Sequence, residues 1–175
     1  PEDWVPLRGD DWYKDNNVDL KLNSDVTGLA PKAKQLTLGD GTTVKFDKLL
    51  LATGAEPVKL DIPGADQKHV HTLRSLADCR AIIAQAKSAK RAAVIGASFI
   101  GLETAAALRA RDIEVHVVAP EKRPLEKVFG PQLGDFVRAL HEEHGVKFHL
   151  EDTVTAIGAK DVTLKSGGRL DADLV

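Results

Sequence analysis

Apolar and polar positions alternate in several short stretches of the chain. Val18-Asp19-Leu20-Lys21-Leu22 and Val146-Lys147-Phe148-His149-Leu150 share this period of two, at a constant offset. Val26-Thr27-Gly28-Leu29 matches Val154-Thr155-Ala156-Ile157 at the same offset. After a short slip, Leu36-Thr37-Leu38 with Gly39-Asp40-Gly41 matches Val162-Thr163-Leu164 with Ser166-Gly167-Gly168. Phe46-Asp47 then matches Ala172-Asp173. Period-two alternation broken by glycine-rich turns predicts a small antiparallel meander in each copy. Ordered agreement along the whole stretch favours duplication over two meanders that merely look alike.

The copies differ in their surroundings. The first runs on into Leu49-Leu50-Leu51-Ala52-Thr53-Gly54, whose apolar start suits a buried strand. The second reaches Asp173-Leu174-Val175, where the equivalent strand is expected to begin, so the C-terminus reads as cut inside an element. The second is also preceded by strand-helix-strand-helix patterning that the first lacks. Proline and glycine punctuate the stretch from Pro57 to Gly64, which reads as a crossover or domain boundary. Ser75-Leu76-Ala77-Asp78 predicts a helix start with aspartate in the capping-box position. Leu76, Cys79, Ile82, Ile83 and Ala86 keep helical spacing and carry that helix to about Lys87. Cys79 falls on the apolar side, as a small core residue rather than a nucleophile.

Candidate chemistry enters at Ala92-Ala93-Val94-Ile95, a buried strand by its run of apolar residues. Gly96-Ala97-Ser98-Phe99-Ile100-Gly101 follows, then a helix through Leu102-Glu103-Thr104-Ala105-Ala106-Ala107-Leu108. A second strand, Ile113-Glu114-Val115-His116-Val117-Val118, leads to Pro120-Glu121. This is the order of a βαβ dinucleotide site, with Gly-x-Ser-x-x-Gly in place of Gly-x-Gly-x-x-Gly. Gly96 permits the tight turn, and Gly101 lets the helix pack close to the sheet. Backbone N–H groups at the helix start would then face a pyrophosphate. Ser98 adds a Cβ that hinders the closest approach and a hydroxyl able to donate to a phosphate oxygen. Glu121 stands roughly 20 residues beyond Gly101, where the rule expects an acid for the adenosine ribose. A carboxylate there favours NADH over NADPH, because it repels a 2′-phosphate. Lys122 and Arg123 beside it offer the opposite charge to that phosphate. Glu103 is open to two readings, a cofactor contact or a charge favourable to the helix dipole.

Composition sets the frame. At 175 residues, 43% hydrophobic and 29% charged, the chain fits one domain or one and a fraction. Its 24 Lys+Arg against 26 Asp+Glu give a net charge of −2, and the pI is near 6.3. That balance makes no electrostatic case for nucleic acid or an anionic membrane surface as partner. No apolar run approaches the roughly 18 residues of a membrane span, and no signal peptide is expected. One cysteine excludes an internal disulfide framework and points to a reducing, cytoplasmic setting. The absence of methionine and the start at Pro1-Glu2-Asp3 suggest an excised piece of a longer chain.

Taken together, the 49–57 stretch, Ile62-Pro63-Gly64 and the 94–103 stretch resemble the two-dinucleotide-fold flavoprotein reductases. Within them the chain is similar to the NADH-dependent ferredoxin, rubredoxin and putidaredoxin reductases and the apoptosis-inducing-factor-like proteins. The resemblance runs from Leu7-Arg8 through Asp173. It implies an α/β fold built of Rossmann-like three-layer β/β/α dinucleotide-binding domains, each a parallel sheet plus an antiparallel β-meander. Residues 1–57 would be part of an FAD-binding domain, comprising the meander and the following strand. Residues 58–72 would be a crossover or hinge. Residues 73–175 would be an NAD(H)-binding domain truncated at its C-terminus. An FAD domain interrupted by a sibling NAD(H) domain would account for the internal echo.

The resemblance also implies roles. Gly96, Ala97, Ser98, Phe99, Ile100 and Gly101 form the nucleotide loop, with Phe99, Ile100 and Glu103 on the nicotinamide side. Glu121 takes the adenosine ribose and Lys127 touches the cofactor, although many such reductases place the acid at the position of Ala119. Val26 makes a backbone contact to the FAD adenine, and Thr53 and Gly54 lie near the flavin. In such enzymes hydride passes from nicotinamide to FAD and electrons go singly to an iron–sulfur carrier of ferredoxin, rubredoxin or Rieske type. No residue need act as acid or base, so no catalytic residue is named. The family's first FAD loop is expected before Pro1, so this chain alone should hold FAD weakly and be inactive. Two other readings stand beside this one. A disulfide or peroxide reductase of the same fold would carry its redox cysteine upstream, and an NAD-sensing apoptosis-inducing-factor-like interaction protein would need no electron carrier.

Other groups read more plainly. His141-Glu142-Glu143-His144 lacks the i, i+4 spacing of a zinc-protease helix and any third ligand, so no metal is expected. His69-Val70-His71 reads as strand or loop surface. Trp4, Trp12 and Tyr13 read as packing for the N-terminal segment. Exposed sheet edges would allow a homodimer.

Overall fold

The structure, a computed structural model, describes residue 2 and residues 5–175. It divides between Gly54 and Ala55 into two compact units.

The first unit opens with a short helix, α1 (Asp10–Asp15), which buries none of its residues. Trp12 and Tyr13 meet edge to face at 5.4 Å, and the Arg8 guanidinium lies over the Trp12 ring. Trp4 lies outside the described residues. Three antiparallel strands follow in the order β1 (Val26–Ala30), β2 (Gln35–Leu38) and β3 (Thr43–Lys45). Two expected strands are absent. Residues 18–22 form no strand, and Val18, Leu20 and Leu22 are exposed. Residues 49–51, expected as a buried strand after the meander, are likewise not a strand, and Leu50 is 86% exposed. The physical reason is common to both. A strand exists only with a neighbour to complete its hydrogen-bond ladder, and no described segment pairs with either stretch.

The second unit holds α2 (Leu76–Ala86), β4 (Arg91–Ile95), α3 (Phe99–Arg109), β5 (Glu114–Ala119), α4 (Glu126–Glu143) and β6 (Val146–Leu150). It ends in a second meander, β7 (Val154–Ile157), β8 (Asp161–Leu164) and β9 (Arg169–Asp171). Strands β4, β5 and β6 pair in parallel, in that order. Both faces of this sheet are covered, which is why its strands read as near-continuous apolar runs. Ala92, Val115, Val117 and Val146 face Ala86, Ala105 and Leu108 on the helices. Ala93 and Val118, one residue out of phase, pack with Val154, Ile157, Val162 and Leu164 of the meander. Helices, parallel sheet and meander are therefore three layers, the α/β Rossmann-like arrangement expected.

The two meanders match in their pairing. Val26 pairs Leu38 and Val154 pairs Leu164, and both first strands carry a register shift directly afterwards. One part of the echo is different. Residues 146–150 are not a meander strand but the edge of the parallel sheet, held by β5.

The 58–72 stretch belongs to the second unit. Ile62 and Val70 join its meander-side core. Residues 69–71, expected at the surface, are half-buried, because they flank the last residue of the chain. Val175 N–H donates to His69 O at 2.9 Å, and His71 N–H donates to Val175 O at 2.8 Å. No helix among the described residues is long and apolar enough to cross a membrane.

The start of α2 is the expected capping box. Asp78 N–H donates to Ser75 Oγ at 3.2 Å, and Ser75 N–H donates to Asp78 Oδ2 at 2.7 Å. Ser75→Ala is expected to cost about 1 kcal/mol in urea unfolding of the second unit. An unchanged midpoint would show that the box contributes nothing. The Ser75 N–H also holds the Asp78 carboxyl below its ordinary value. A depressed folded value means the contribution is present above the ordinary aspartate range and is lost as pH falls through the lowered value.

Candidate functional site

The site is assembled where β4 turns into α3. Gly96 closes the strand with its N–H donating to Val118 O at 2.8 Å, and turns the chain with φ of +115°. That is a conformation glycine adopts without steric cost. Space above it is open, with nothing within 4 Å of where a Cβ would stand. Gly101 is the opposite case. A Cβ on it would lie 2.1 Å from Gly96 O, so the missing side chain is what lets α3 sit down on the turn.

Ser98 is the extended residue before the helix, and its side chain makes no capping hydrogen bond. The first N–H groups of a helix have no partner within it. Here they carry the positive end of an 11-residue helix. Turn, dipole and serine hydroxyl are together groups that can receive an anion such as a pyrophosphate. Phe99 and Ile100 project from the same turn, 47% and 60% exposed. Glu103, also exposed, faces a groove between α2 and α3 that Arg74, Cys79 and Arg111 also line.

The acid lies on the neighbouring loop. Strand β5 ends at the fully buried Ala119, which offers no group to a ligand. Glu121 follows, its carboxylate accepting from Lys127 Nζ at 2.8 Å. That lysine holds the Glu121 carboxyl below its ordinary range, and Glu121 in turn raises the lysine. Arg123, expected to be open to a phosphate, is engaged by carboxylates. Its Nε donates to Asp135 Oδ1 at 2.6 Å and its Nη1 to Glu126 Oε1 at 3.2 Å.

Two features of the site were not visible in the sequence. Leu125 N–H donates to Ala97 O at 3.0 Å, which ties the Glu121 loop directly to the glycine turn. Phe129, from the first turn of α4, meets Phe99 edge to face at 5.6 Å. Gly130 and Pro131 break α4 just after it, and a glycine–proline pair inside a helical pattern is the signal that marks this break. A cavity of about 910 Å³ runs from the Gly96, Ser98 and Phe99 end of the turn along β4. Glu121, Arg123 and Lys127 do not line it. The turn therefore separates a largely apolar cavity from a charged loop.

The remaining expected site residues lie in the first unit. Val26 opens β1 and is 55% exposed, while Thr53 and Gly54 end the unit in exposed, irregular chain. At the end of α4, His144 Nδ1 lies 2.8 Å from Leu140 O and His141 packs edge-on to Phe148. Neither histidine belongs to a cluster of metal-ligating side chains among the described residues.

A family model described as pyridine nucleotide-disulphide oxidoreductase matches residues 11–175. Rhodocoxin reductase of Rhodococcus erythropolis is 34% identical over 176 residues, covering 98% of this chain and 41% of that protein. The ferredoxin–NAD(+) reductase component of the anthranilate 1,2-dioxygenase system of Burkholderia cepacia is 34% identical over 168 residues, covering 94% and 41%. Among solved structures, the covalent putidaredoxin reductase–putidaredoxin complex superposes with a TM-score of 0.89 at 31% identity, covering 100% of this chain and 44% of that one. The chain thus spans about two fifths of the length of these relatives.

Proposed function

Because the chain belongs to the pyridine nucleotide-disulphide oxidoreductase family, we propose that it is the NAD(H)-binding part of a flavoprotein reductase of ferredoxin-reductase type. The family implies FAD and a nicotinamide nucleotide. The preference for NADH and delivery to a ferredoxin, rubredoxin or Rieske-type carrier are our reading. The observation that carries the nucleotide half is the Leu125–Ala97 hydrogen bond, and similarity to ferredoxin reductases supports the carrier half. That bond joins a phosphate-seating turn to a loop bearing a carboxylate, the two halves of a dinucleotide site.

The residues present fit the nucleotide. Open space over Gly96 and the free N–H groups of α3 suit a pyrophosphate. Glu121, kept ionised and oriented by Lys127, accepts from the ribose hydroxyls. Phe99, Ile100 and Glu103 serve the nicotinamide side, with Phe129 bracing Phe99. Val26, Thr53 and Gly54 serve the FAD side. When bound, the nicotinamide would supply a hydride to the flavin, and its two electrons would pass one at a time to the iron–sulfur carrier. The chain's contribution is orientation, and we assign no acid or base. A lone cysteine agrees with a reducing, cytoplasmic setting.

Titration with NADH and NADPH tests the nucleotide half. The chain should bind NADH more tightly, and Glu121→Ala should weaken NADH roughly 10-fold or more, the worth of a hydrogen bond to a charged group. Equal affinities untouched by the substitution would remove the ribose assignment. The electron-transfer half is tested on the full-length protein with FAD. Failure to reduce any iron–sulfur carrier with NADH would remove it.

A further inference from the structure

The loop that carries Glu121 also carries Lys122 and Arg123, cations that a nucleotide 2′-phosphate would attract. A guanidinium is the better phosphate ligand, because its planar fork donates two parallel hydrogen bonds. In this fold the Arg123 fork is turned onto α4. Nε donates to Asp135 and Nη1 to Glu126, at 2.6 and 3.2 Å. The Arg123 side chain retains 23% exposure.

This engagement is built into the packing. Gly134, the buried residue of α4, lies directly against the loop. A Cβ on it would stand 2.8 Å from Pro124 O and 3.1 Å from Arg123 Cβ. The missing side chain brings the helix close enough for Asp135, next in sequence, to reach the guanidinium. Glu126 reaches the same group from the helix's first turn. Lys127, beside it, donates to Glu121 and is otherwise exposed.

We propose that Asp135 and Glu126 are determinants of nucleotide choice, acting by neutralising Arg123 and turning it onto α4, which makes it a poor ligand for a 2′-phosphate. This rests on the reading that the Glu121 loop receives the adenosine ribose. Discrimination against NADPH then has two sources. Glu121 repels the phosphate, and the carboxylates on α4 neutralise the guanidinium, which leaves the exposed Lys122 without that help against the repulsion. Asp135 and Glu126 are positioning residues, since they act through Arg123.

The test is the full chain carrying Asp135→Ala and Glu126→Ala, titrated with NADPH and NADH by nucleotide fluorescence. Alanine removes both acceptors, and the Asp135 side chain is 58% exposed, so the fold is expected to tolerate the change. Asp135→Ala alone, checked by circular dichroism, replaces the pair if the double variant fails to fold. NADPH should tighten about 10-fold, with NADH changing far less. Adding Arg123→Gln should return NADPH to its original affinity. Unchanged NADPH affinity, or a gain that survives Arg123→Gln, overturns the proposal. Glu121→Ala, run in parallel, separates the two levels. If it weakens NADH while the α4 variants leave NADPH unchanged, only the present inference fails. If it leaves NADH unchanged, the ribose reading fails and takes this inference with it.

Discussion

Gly101→Ala is expected to abolish measurable NADH binding and to lower the stability of the second unit by about 2–4 kcal/mol. The new Cβ would sit 2.1 Å from Gly96 O, and a backbone oxygen cannot swing aside as the end of a flexible side chain can. Either α3 must lift from the sheet or the turn must move. Lifting the helix opens the core it shares with the sheet, where Ala105 and Leu108 are buried against Val115 and Val117. Moving the turn redirects the N–H groups proposed to face the pyrophosphate and strains the Leu125–Ala97 tether. Both routes damage the same site, so binding and stability should fall together. Gly168→Ala is the control in the same unit, since its Cβ would meet nothing closer than Leu164 Cδ1 at 3.6 Å. Urea unfolding followed by circular dichroism reads the stability, and nucleotide fluorescence reads the binding. Gly101→Ala behaving like Gly168→Ala would show that α3 has room the packing does not indicate.

The βαβ unit is readable in the sequence because its signals are local. A strand buried on both faces must be apolar throughout, and two glycines at fixed spacing mark the turn and the close approach. The capping box at Ser75 and Asp78 is local as well. Strand pairing is not. Alternation in Val18-Asp19-Leu20-Lys21-Leu22 says which side chains would share a face, but says nothing about whether a neighbour supplies the ladder. The same pattern becomes a strand at 146–150 because β5 lies beside it. In the first unit no described segment does this, and Leu22 is left 70% exposed.

Charge carries a similar limit. A basic residue next to Glu121 reads as a phosphate ligand until the helix that neutralises it is placed. Asp135 is distant in sequence from Arg123, and only the packing at Gly134 brings them together. An isolated glycine inside a helical pattern is the trace this contact leaves. It marks a close approach without naming the partner.

Gly64→Ala should destabilise the second unit by about 3 kcal/mol or more while leaving the Gly96 turn in place. Gly64 has φ of +83°, and a Cβ there would lie 1.9 Å from Ile157 O and 2.7 Å from Gln67 Nε2. Ile157 ends β7, is 4% exposed, and belongs to the meander-side core. The segment around Gly64 is stitched to it twice. Ile157 N–H donates to Pro63 O at 2.8 Å, and Gln67 Nε2 donates to Ile157 O at 2.6 Å. A methyl group would force both bonds apart and withdraw Ile62 and Val70 from the core they help to fill. The proline–glycine pair that marks a crossover in the sequence thus acts as an anchor point. The turn at Gly96 is held instead by Val118, α3 and the Leu125 tether. Ala65, Gln67 and Val70 share a cavity with that turn, so below its lowered unfolding midpoint Gly64→Ala should bind NADH measurably but more weakly than the parent, unlike Gly101→Ala. Loss of binding in proportion to loss of stability would show that the two sites are coupled through the sheet. An unchanged midpoint would show that residues 62–67 contribute nothing to holding the meander.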